Sequence, residues 1–440
     1  MTNMSLPDLP APTTMTPPTA TSRRAVIAWG LWDWGSASIN AVATSFVFTV
    51  YLTGSAFGDA ATTSQALSLA LTLAGLVVLI TAPITGQRSD ASAHRKRWLG
   101  INTGVVVLML ALMIFVREDT AYLWFGLTLL AVGTVFYELA SVNYNAMLSQ
   151  ISTPRTVGKV SGFGWGMGYL GGIVLLLVLY FGLIKPEVGL FGVTGADGMA
   201  VRVSMLLAAI WFAVSALPLL FAVPENTPST PGAARIGFFA SYRVLFGTVA
   251  SLWRESRTTV WFLLASAIFR DGLTGVFTFV GVLATGTFGL TAADVLIFAI
   301  AANVVAGIVT MASGFFDDRF GPKPVMIVSL VALVVGGILI FVLHDGGPAV
   351  FWGLGLAMAM FVGPAQSASR TFLARSIPTG REGEVFGLYA TTGRAAVFLA
   401  PMMFGVFVTL GGHQYWGVLG LVAVLLVGLA LLIPVRPPAR

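Results

Sequence analysis

Residues 148–162 read LSQISTPRTVGKVSG, and 225 positions later residues 373–387 read LARSIPTGREGEVFG. Four identities align the two stretches: Leu148 with Leu373, Gly158 with Gly383, Val160 with Val385 and Gly162 with Gly387. Each stretch joins the end of one apolar segment to the start of the next. A membrane chain built from two homologous halves is the usual architecture of a secondary transporter, whose binding site lies between the halves.

The composition is typical of a polytopic membrane protein. Of the 440 residues, 57% are hydrophobic and only 10% are charged, and the mean hydropathy is +0.89; no soluble globular domain has this composition. The chain has no cysteine, which excludes disulfides, thiolate metal sites and cysteine nucleophiles. Its three histidines fall in predicted loops without ligand spacing, so we expect no metal and no cofactor.

Twelve segments are long and apolar enough to cross a bilayer, which takes about 20 residues per helix. They lie at roughly 25–53, 65–85, 98–116, 121–147, 158–184, 201–223, 258–286, 292–315, 324–343, 348–370, 384–410 and 415–434. We predict an all-α integral membrane protein, in which twelve transmembrane helices form two pseudo-symmetric six-helix bundles. The predicted divisions are a disordered tail at 1–22, a first bundle at 23–223, a linker at 224–257 and a second bundle at 258–440.

The linker has an amphipathic pattern. Four apolar residues share one helical stripe: Tyr242, Phe246, Val249 and Trp253. Three arginines suited to phospholipid headgroups accompany them: Arg235, Arg243 and Arg254. The pattern predicts a helix lying at the membrane interface. A flexible linker with scattered aromatic residues is the alternative.

The distribution of basic residues predicts the orientation. If the N-terminus is cytoplasmic, 19 of the 24 Lys and Arg residues lie on the inner side, Arg370 among them. Only Arg117, Lys185 and Arg202 lie outside, and two arginines lie within spans. This asymmetry obeys the positive-inside rule and predicts a plasma-membrane protein with both termini in the cytoplasm. The sequence pI near 9.8 then reflects topology, and we expect no nucleic-acid partner.

Residues 314–323, which read GFFDDRFGPK, resemble the signature loop of the major facilitator superfamily, and residues 86–96 carry a degenerate copy. The resemblance implies a cytoplasmic latch between neighbouring helices, formed by Asp90, Arg95, Asp318, Arg319 and Lys323. In the first copy Ala91 and Ala93 replace the expected Arg and Gly, which implies a weaker latch.

Four further segments narrow this resemblance to the bacterial branch related to the fungal autophagy-related vacuolar effluxers, a family implicated in amino-acid export. They are residues 29–36 (WGLWDWGS), 161–172 (SGFGWGMGYLGG), 363–370 (GPAQSASR) and 386–394 (FGLYATTGR). The likeness covers nearly all of residues 25–434. It implies a cavity lined by spans 1, 4, 7 and 10, with help from spans 5 and 11.

Five ionisable residues lie well inside the predicted spans: Asp33, Glu138, Arg270, Asp271 and Arg394. An ionisable group near the bilayer centre costs several kcal/mol unless it is paired or hydrated, so each is a functional candidate. Counted from the span ends at about 1.5 Å per residue, all five could share one layer in the middle or inner half of the membrane.

Polar residues accompany these charges at helical spacing. Asn40 follows Asp33 on span 1, and Ser141 and Asn145 follow Glu138 on span 4. Gln366 lies in the 363–370 segment of span 10. We expect these residues to line an aqueous face. Polar stripes can also join buried helices without binding a ligand, which is the alternative.

The charges have opposite signs in the two halves. The first half contributes Asp33 and Glu138, whereas the second contributes Arg270 and Arg394 against Asp271, a formal total of −1. A surplus carboxyl group in a low-dielectric site exchanges a proton readily, as proton coupling requires. The arrangement also suits a zwitterion, with its ammonium toward the acids and its carboxylate toward the arginines. Salt bridges that break and reform between the halves, with substrate bound elsewhere, are the alternative.

These observations predict an alternating-access transporter that exports a small polar or zwitterionic solute, such as an amino acid, driven by protons. An exporter of amphipathic drugs or lipids is the alternative within the class and would need an apolar pocket. An enzyme would need a nucleophile with a base, or a metal cluster, and the sequence shows neither. We expect the chain to act as a monomer, with the lipid bilayer and a small-molecule substrate as its partners.

Overall fold

The computed structural model describes residues 22–92, 95–151, 157–223, 238–376 and 382–436. Twelve helices in these ranges are long and apolar enough to cross a membrane. Span 1 is Arg23–Leu52. The next five spans contain the helices Ala60–Ser92, Arg95–Leu112, Leu123–Ile151, Val157–Leu179 and Met199–Ala222. Spans 7 to 10 are Arg257–Gly286, Ala292–Phe320, Pro322–Val342 and Gly347–Ser376, span 11 is split into Glu382–Ala395 and Leu399–Gly411, and span 12 is Gly417–Leu432. The predicted disordered tail lies outside the described residues, apart from Ser22.

The two halves repeat the same helix pairings. In the first half, span 1 packs on spans 5 and 6, span 4 packs on spans 2 and 3, and span 3 packs on span 6. Adding six to each number gives the pairings of the second half: span 7 on spans 11 and 12, span 10 on spans 8 and 9, and span 9 on span 12. The prediction of two pseudo-symmetric six-helix bundles is confirmed.

Span 1 changes helical type along its length. Its α-helix Arg23–Ala37 passes into a π-helix, Ser38–Phe46, and resumes at Phe48–Leu52. Inside the wider turn, the Ser45 hydroxyl donates to the Asn40 carbonyl at 2.8 Å, five residues back. Hydroxyl groups that bond to the preceding turn compete with the regular backbone ladder. Such π-helical turns occur frequently at functional sites.

Span 11 is broken between Ala395 and Leu399. Pro401 explains the position of the break, because its ring clashes with the carbonyl four residues earlier, that of Val397, and prevents a continuous helix. The second segment therefore starts afresh within the membrane-spanning region, and its first backbone N–H groups need acceptors from elsewhere.

The halves contact each other on the side of the molecule opposite the N-terminus. The Ser68 hydroxyl of span 2 donates to the Pro401 carbonyl of span 11. Nearer that surface, Gln414 Nε2 donates to Ser64 Oγ at 2.8 Å. Spans 1 and 7 approach so closely that a Cβ on Gly281 would lie 2.6 Å from the Ser45 carbonyl oxygen. These contacts close that side of the interface between the halves.

A separate helix, Phe238–Glu255, precedes span 7. It packs on spans 2 and 7. Leu252 is fully buried, whereas Phe246 and Trp253 are exposed, and Arg243 and Arg254 are exposed as well. The side chain of Tyr242 and the whole of Arg235 lie outside the described residues. The position of this helix at a membrane interface stays a prediction.

Candidate functional site

An ion pair joins the halves in the layer where the sequence predicts charges. Arg394, at the end of the first segment of span 11, lies with its Nε 3.2 Å from Oε2 of Glu138 on span 4. The Arg394 side chain is 12% exposed and the Glu138 side chain 21% exposed. The pair is therefore shielded enough for each charge to depend on the other, yet it remains in contact with the space between the halves.

Asp33 lies on span 1 in the same layer. Its Oδ1 accepts a hydrogen bond from the Ser36 hydroxyl at 3.1 Å, and the same hydroxyl bonds to the Asp33 carbonyl at 2.8 Å. Span 5 approaches it through Gly168, where an added Cβ would lie 3.3 Å from the carboxyl carbon. Within the described part of the chain, no Lys, Arg or His nitrogen lies within 4.0 Å of this carboxylate.

Asp271 is buried against span 11, whereas the sequence predicts it on the cavity wall. It is 4% exposed, and its Oδ2 accepts the backbone N–H of Ala400 at 2.6 Å. Ala400 is the second residue of the helix segment that follows the break in span 11. Asp271 therefore caps a broken helix from a neighbouring span, where a carboxylate is favoured by the positive end of the helix dipole. Its neighbour Thr274 is exposed.

We expect Asp271→Ala to destabilise the protein, because it leaves the Ala400 N–H buried without an acceptor. The loss should be about 1–3 kcal/mol, whereas Asp271→Asn keeps an acceptor oxygen and should lose less. Asp294→Ala removes an exposed helix cap at Thr291 and serves as the matched control. Thermal unfolding in detergent measures all three. An unchanged melting temperature for Asp271→Ala would contradict the capping role.

Arg270 packs on an aromatic ring of span 11. Its guanidinium carbon lies 4.0 Å from the centroid of Tyr389, and Nη1 donates to the Tyr389 carbonyl at 3.2 Å. Gly393 leaves the space for this packing, because a Cβ there would lie 2.8 Å from Nη1. The Tyr389 hydroxyl is hydrogen-bonded in turn to the Ser369 hydroxyl of span 10, at 2.7 Å.

Arg370 is a member of this layer that the sequence analysis missed. Span 10 continues to Ser376, which places Arg370 roughly 9 Å inside the helix end at 1.5 Å per residue. Its guanidinium carbon lies 4.5 Å from the ring centroid of Trp165 on span 5, and it is within electrostatic range of Asp33 and Arg270. With Arg370 included, the formal charge of the group becomes three minus three, or zero, instead of the predicted −1; of the three carboxylates, Asp271 is used as a helix cap.

The other predicted polar residues surround this layer. Asn40 Nδ2 donates to the Tyr137 hydroxyl at 2.7 Å, and the Tyr137 ring stacks on Trp32 with centroids 6.0 Å apart. Asn145 is exposed and bonds to the Ser141 backbone carbonyl at 2.8 Å. Ser141 and Gln366 are half-buried. Sequence reasoning missed Tyr137, which immediately precedes Glu138.

In the two loops of the predicted latch, a lysine bonds to backbone carbonyls of its own half. Lys323 Nζ donates to the carbonyls of Ile433 and Val435, at 2.6 and 2.7 Å, which follow span 12. Lys96 Nζ makes the equivalent bond in the first half, to the Val223 carbonyl after span 6 at 3.3 Å. Cations at helix C-termini are favoured by the helix dipole. Lys96 was not among the predicted latch residues.

The structure describes the other residues of the predicted latch only in part. The side chains of Asp90 and Asp318 lie outside the described residues. Arg95 is half-buried, and the guanidinium of Arg319 lies 5.6 Å from the Phe320 ring centroid on an exposed surface. The role of these residues in latching the two halves stays a prediction.

Two six-span repeats with a charged layer between them define the class of protein: a secondary transporter of the major facilitator superfamily, a multi-pass membrane protein rather than an enzyme. Residues 48–437 match the family described as "Vacuole effluxer Atg22 like", and the chain belongs to that family. The resemblance stated from the sequence motifs is confirmed.

Its relatives include a bacterial protein of similar length. The "Uncharacterized MFS-type transporter YxiO" of Bacillus subtilis is 22% identical over 409 residues, which are 92% of this chain and 93% of that protein. "Autophagy-related protein 22" of Cryptococcus neoformans is 25% identical over 310 residues, 67% of this chain and 52% of that protein. The chain thus matches about half the length of this fungal relative.

Solved structures with the same fold are distant in sequence. The xylose transporter XylE from E. coli, in a partially occluded inward open conformation, matches with a TM-score of 0.65 at 14% identity, over 95% of this chain and 97% of that one. The nucleoside transporter NupG matches with a TM-score of 0.60 at 12% identity, over 94% and 99%. At these identities the likeness shows the fold.

Proposed function

We propose that this transporter exports a small polar or zwitterionic solute, such as an amino acid, in exchange for protons. One observation carries the proposal: the space between the halves has an acidic wall, with Asp33 and Glu138 on the first half, and a basic wall formed by three arginines on the second. A zwitterion placed between these walls has complementary charges at both ends. The description of the family as a vacuole effluxer supports transport of a solute across a membrane, and the outward direction is part of the proposal.

We further propose that the protein lies in the plasma membrane with both termini in the cytoplasm, as the positive-inside rule indicates. The contacts of span 2 with span 11 and of span 1 with span 7 then close the external side. Trp165, 44% exposed on the N-terminal side of the central layer, then faces a cavity open to the cytoplasm. The described arrangement would be the state that loads solute from the cell.

Proton exchange follows from the position of Asp33. An ionised Asp33 can bind the ammonium group of the solute, and a proton from the external medium can then replace that group. Because one carboxylate cannot hold both, proton binding promotes release of the solute outside. The proton gradient across the plasma membrane would thereby drive export. The half-buried position of Asp33 and the absence of a base within ion-pair distance, among the described residues, support this role.

The experiment is transport of labelled amino acids into proteoliposomes, with and without an acidic lumen. We expect the pH gradient to stimulate uptake by the wild type, and Asp33→Asn to lower the stimulated rate at least about tenfold, the effect of about 1.4 kcal/mol. Asp345→Asn, on an exposed loop carboxylate, is the matched control. A fully stimulated Asp33→Asn variant would exclude Asp33 as the proton site.

The same assay tests the drug-exporter alternative. That function predicts a large apolar pocket between the halves, whereas the apolar cavity of ≈ 40 Å³ between spans 7, 9, 10 and 12 lies inside the second half. Preference for hydrophobic cations over zwitterions in the transport panel would favour the alternative function.

A further inference from the structure

The three arginines of the basic wall are not equivalent. Arg394 is neutralised by Glu138 at 3.2 Å. The other two, Arg270 and Arg370, have no carboxylate oxygen within 4.0 Å in the described ranges of the chain. A guanidinium group inside a membrane protein is costly unless a counter-charge or water compensates it. Two such groups within electrostatic range of each other increase the cost, since like charges repel strongly at low dielectric.

Arg370 is held by its flat face, which leaves its edge available. Its guanidinium carbon lies 4.5 Å from the Trp165 ring centroid, and among the described residues it makes no hydrogen bond or ion pair. Stacking on an aromatic face fixes the plane of the guanidinium without using its N–H donors. The donors of Arg370 therefore have no protein acceptor within the described segments, although the side chain is half-buried.

Arg270 also stacks on an aromatic ring, here one of its own half. Its guanidinium lies over Tyr389 at 4.0 Å, and within the described segments Nη1 alone donates a hydrogen bond, to the Tyr389 carbonyl. The Tyr389 hydroxyl bonds to Ser369, the residue before Arg370, at 2.7 Å. One tyrosine thus connects the two arginines, which are close enough to interact electrostatically. Both are oriented by rings rather than by acids.

We propose that Arg270 and Arg370 form an oxyanion subsite, which binds the carboxylate or phosphate group of the transported solute. This inference rests on the proposed function, because it assigns one end of the solute in the same cavity. An oxyanion between two guanidinium forks accepts charge-assisted, bidentate hydrogen bonds. Asp33, within electrostatic range of Arg370, then lies on the side where the ammonium group of an amino acid would bind.

The subsite also adjoins a contact between the two halves. Trp165 belongs to the first half and Arg370 to the second, so this stacked contact crosses the interface on the N-terminal side of the charged layer. A bound oxyanion removes the repulsion between the two arginines and stabilises their positions. It therefore favours the arrangement in which both rings and both arginines surround the solute.

The test is ligand binding by the full-length protein in detergent, measured as thermal stabilisation and by calorimetry. The probes are glutamate, succinate and inorganic phosphate, with alaninamide as a probe that lacks an oxyanion. We expect at least one of the three anions to stabilise the wild type and alaninamide to have no effect. Arg370→Gln should weaken anion binding about 30-fold, as expected for lost hydrogen bonds to a charged group, and Arg370→Lys should weaken it less.

Arg257→Gln is the matched control, because Arg257 also stacks on a tryptophan, Trp253 at 5.8 Å, but is the first residue of span 7. It should bind the anions like the wild type. Trp165→Phe keeps an aromatic face and should bind more tightly than Trp165→Ala, which distinguishes lost orientation from misfolding. The class of anion that binds more tightly, carboxylate or phosphate, identifies the oxyanion of the solute.

Two results would overturn the subsite: no stabilisation of the wild type by any of the three anions, or wild-type anion affinity in Arg370→Gln. These outcomes are separable from failure of the proposed function. Anion binding that depends on Arg370, without transport of any amino acid in proteoliposomes, would retain the subsite and reject the solute class. Proton-driven amino-acid transport by Arg370→Gln at the wild-type rate would reject the subsite alone.

Discussion

Transport should stop when cysteines at positions 68 and 405 are oxidised to a disulfide. Ser68 of span 2 and Gly405 of span 11 belong to different halves, and a Cβ on Gly405 would lie 2.9 Å from the Ser68 Cβ. A disulfide joins Cβ atoms about 3.5–4.5 Å apart, so the spans need to separate by only about 1 Å. The natural chain has no cysteine, and the introduced pair would be its only thiols.

The size of the expected loss of transport follows from the alternating-access mechanism. Alternating access requires the halves to separate on the side where spans 2 and 11 now touch, and a covalent bond there prevents it. We expect the oxidised Ser68→Cys/Gly405→Cys variant to transport at least about 50-fold more slowly than the reduced one, since only molecules without the disulfide can complete the cycle. Initial uptake rates before and after reduction measure this difference.

A matched pair of substitutions lies within one half. A Cβ on Gly35 of span 1 would lie 2.8 Å from the Ser215 Cβ of span 6, nearly the spacing of the first pair. Gly35→Cys/Ser215→Cys should transport equally well oxidised and reduced, because each half moves as one body. Transport by the oxidised Ser68→Cys/Gly405→Cys variant at its reduced rate would show that spans 2 and 11 do not separate.

The fold could be predicted from the sequence because its signals are local or repeated. Span positions depend on runs of apolar residues, and the repeat at residues 148–162 and 373–387 relates the halves directly. The five charged residues could be selected for the same reason, since an ionisable group in an apolar run is visible without any partner. Their depth could be estimated from the helical rise alone.

Partners across the interface could not be predicted. Glu138 and Arg394 are 256 residues apart, and their meeting depends on how the bundles pack. The role of Asp271 as a cap depends on the break in span 11, for which Pro401 was the available signal. Arg370 was missed because residues 363–370 contain several small and polar residues. The predicted apolar span therefore ends at residue 370, whereas the helix continues to Ser376.

We expect Arg394→Ala to abolish most transport. The substitution leaves the Glu138 carboxylate without its partner in a shielded layer, and removing one member of a fully buried pair typically costs about 3–5 kcal/mol. Because Glu138 remains 21% exposed, the loss of folding stability should be smaller, roughly 1–3 kcal/mol. The transport rate should fall at least about 100-fold, because the pair also links the two halves during the cycle.

A double-mutant cycle separates these two effects. Glu138→Gln/Arg394→Ala removes both charges, so it should regain most of the stability that Glu138→Gln or Arg394→Ala loses alone, as measured by thermal unfolding. We expect its transport to remain low, since the solute and the moving halves both need the charges. Arg202→Ala, which breaks a pair with Asp197 inside the first half, should lower stability without a comparable loss of transport. Recovery of transport by the double variant would instead show that the pair is structural and that the solute binds elsewhere in the cavity.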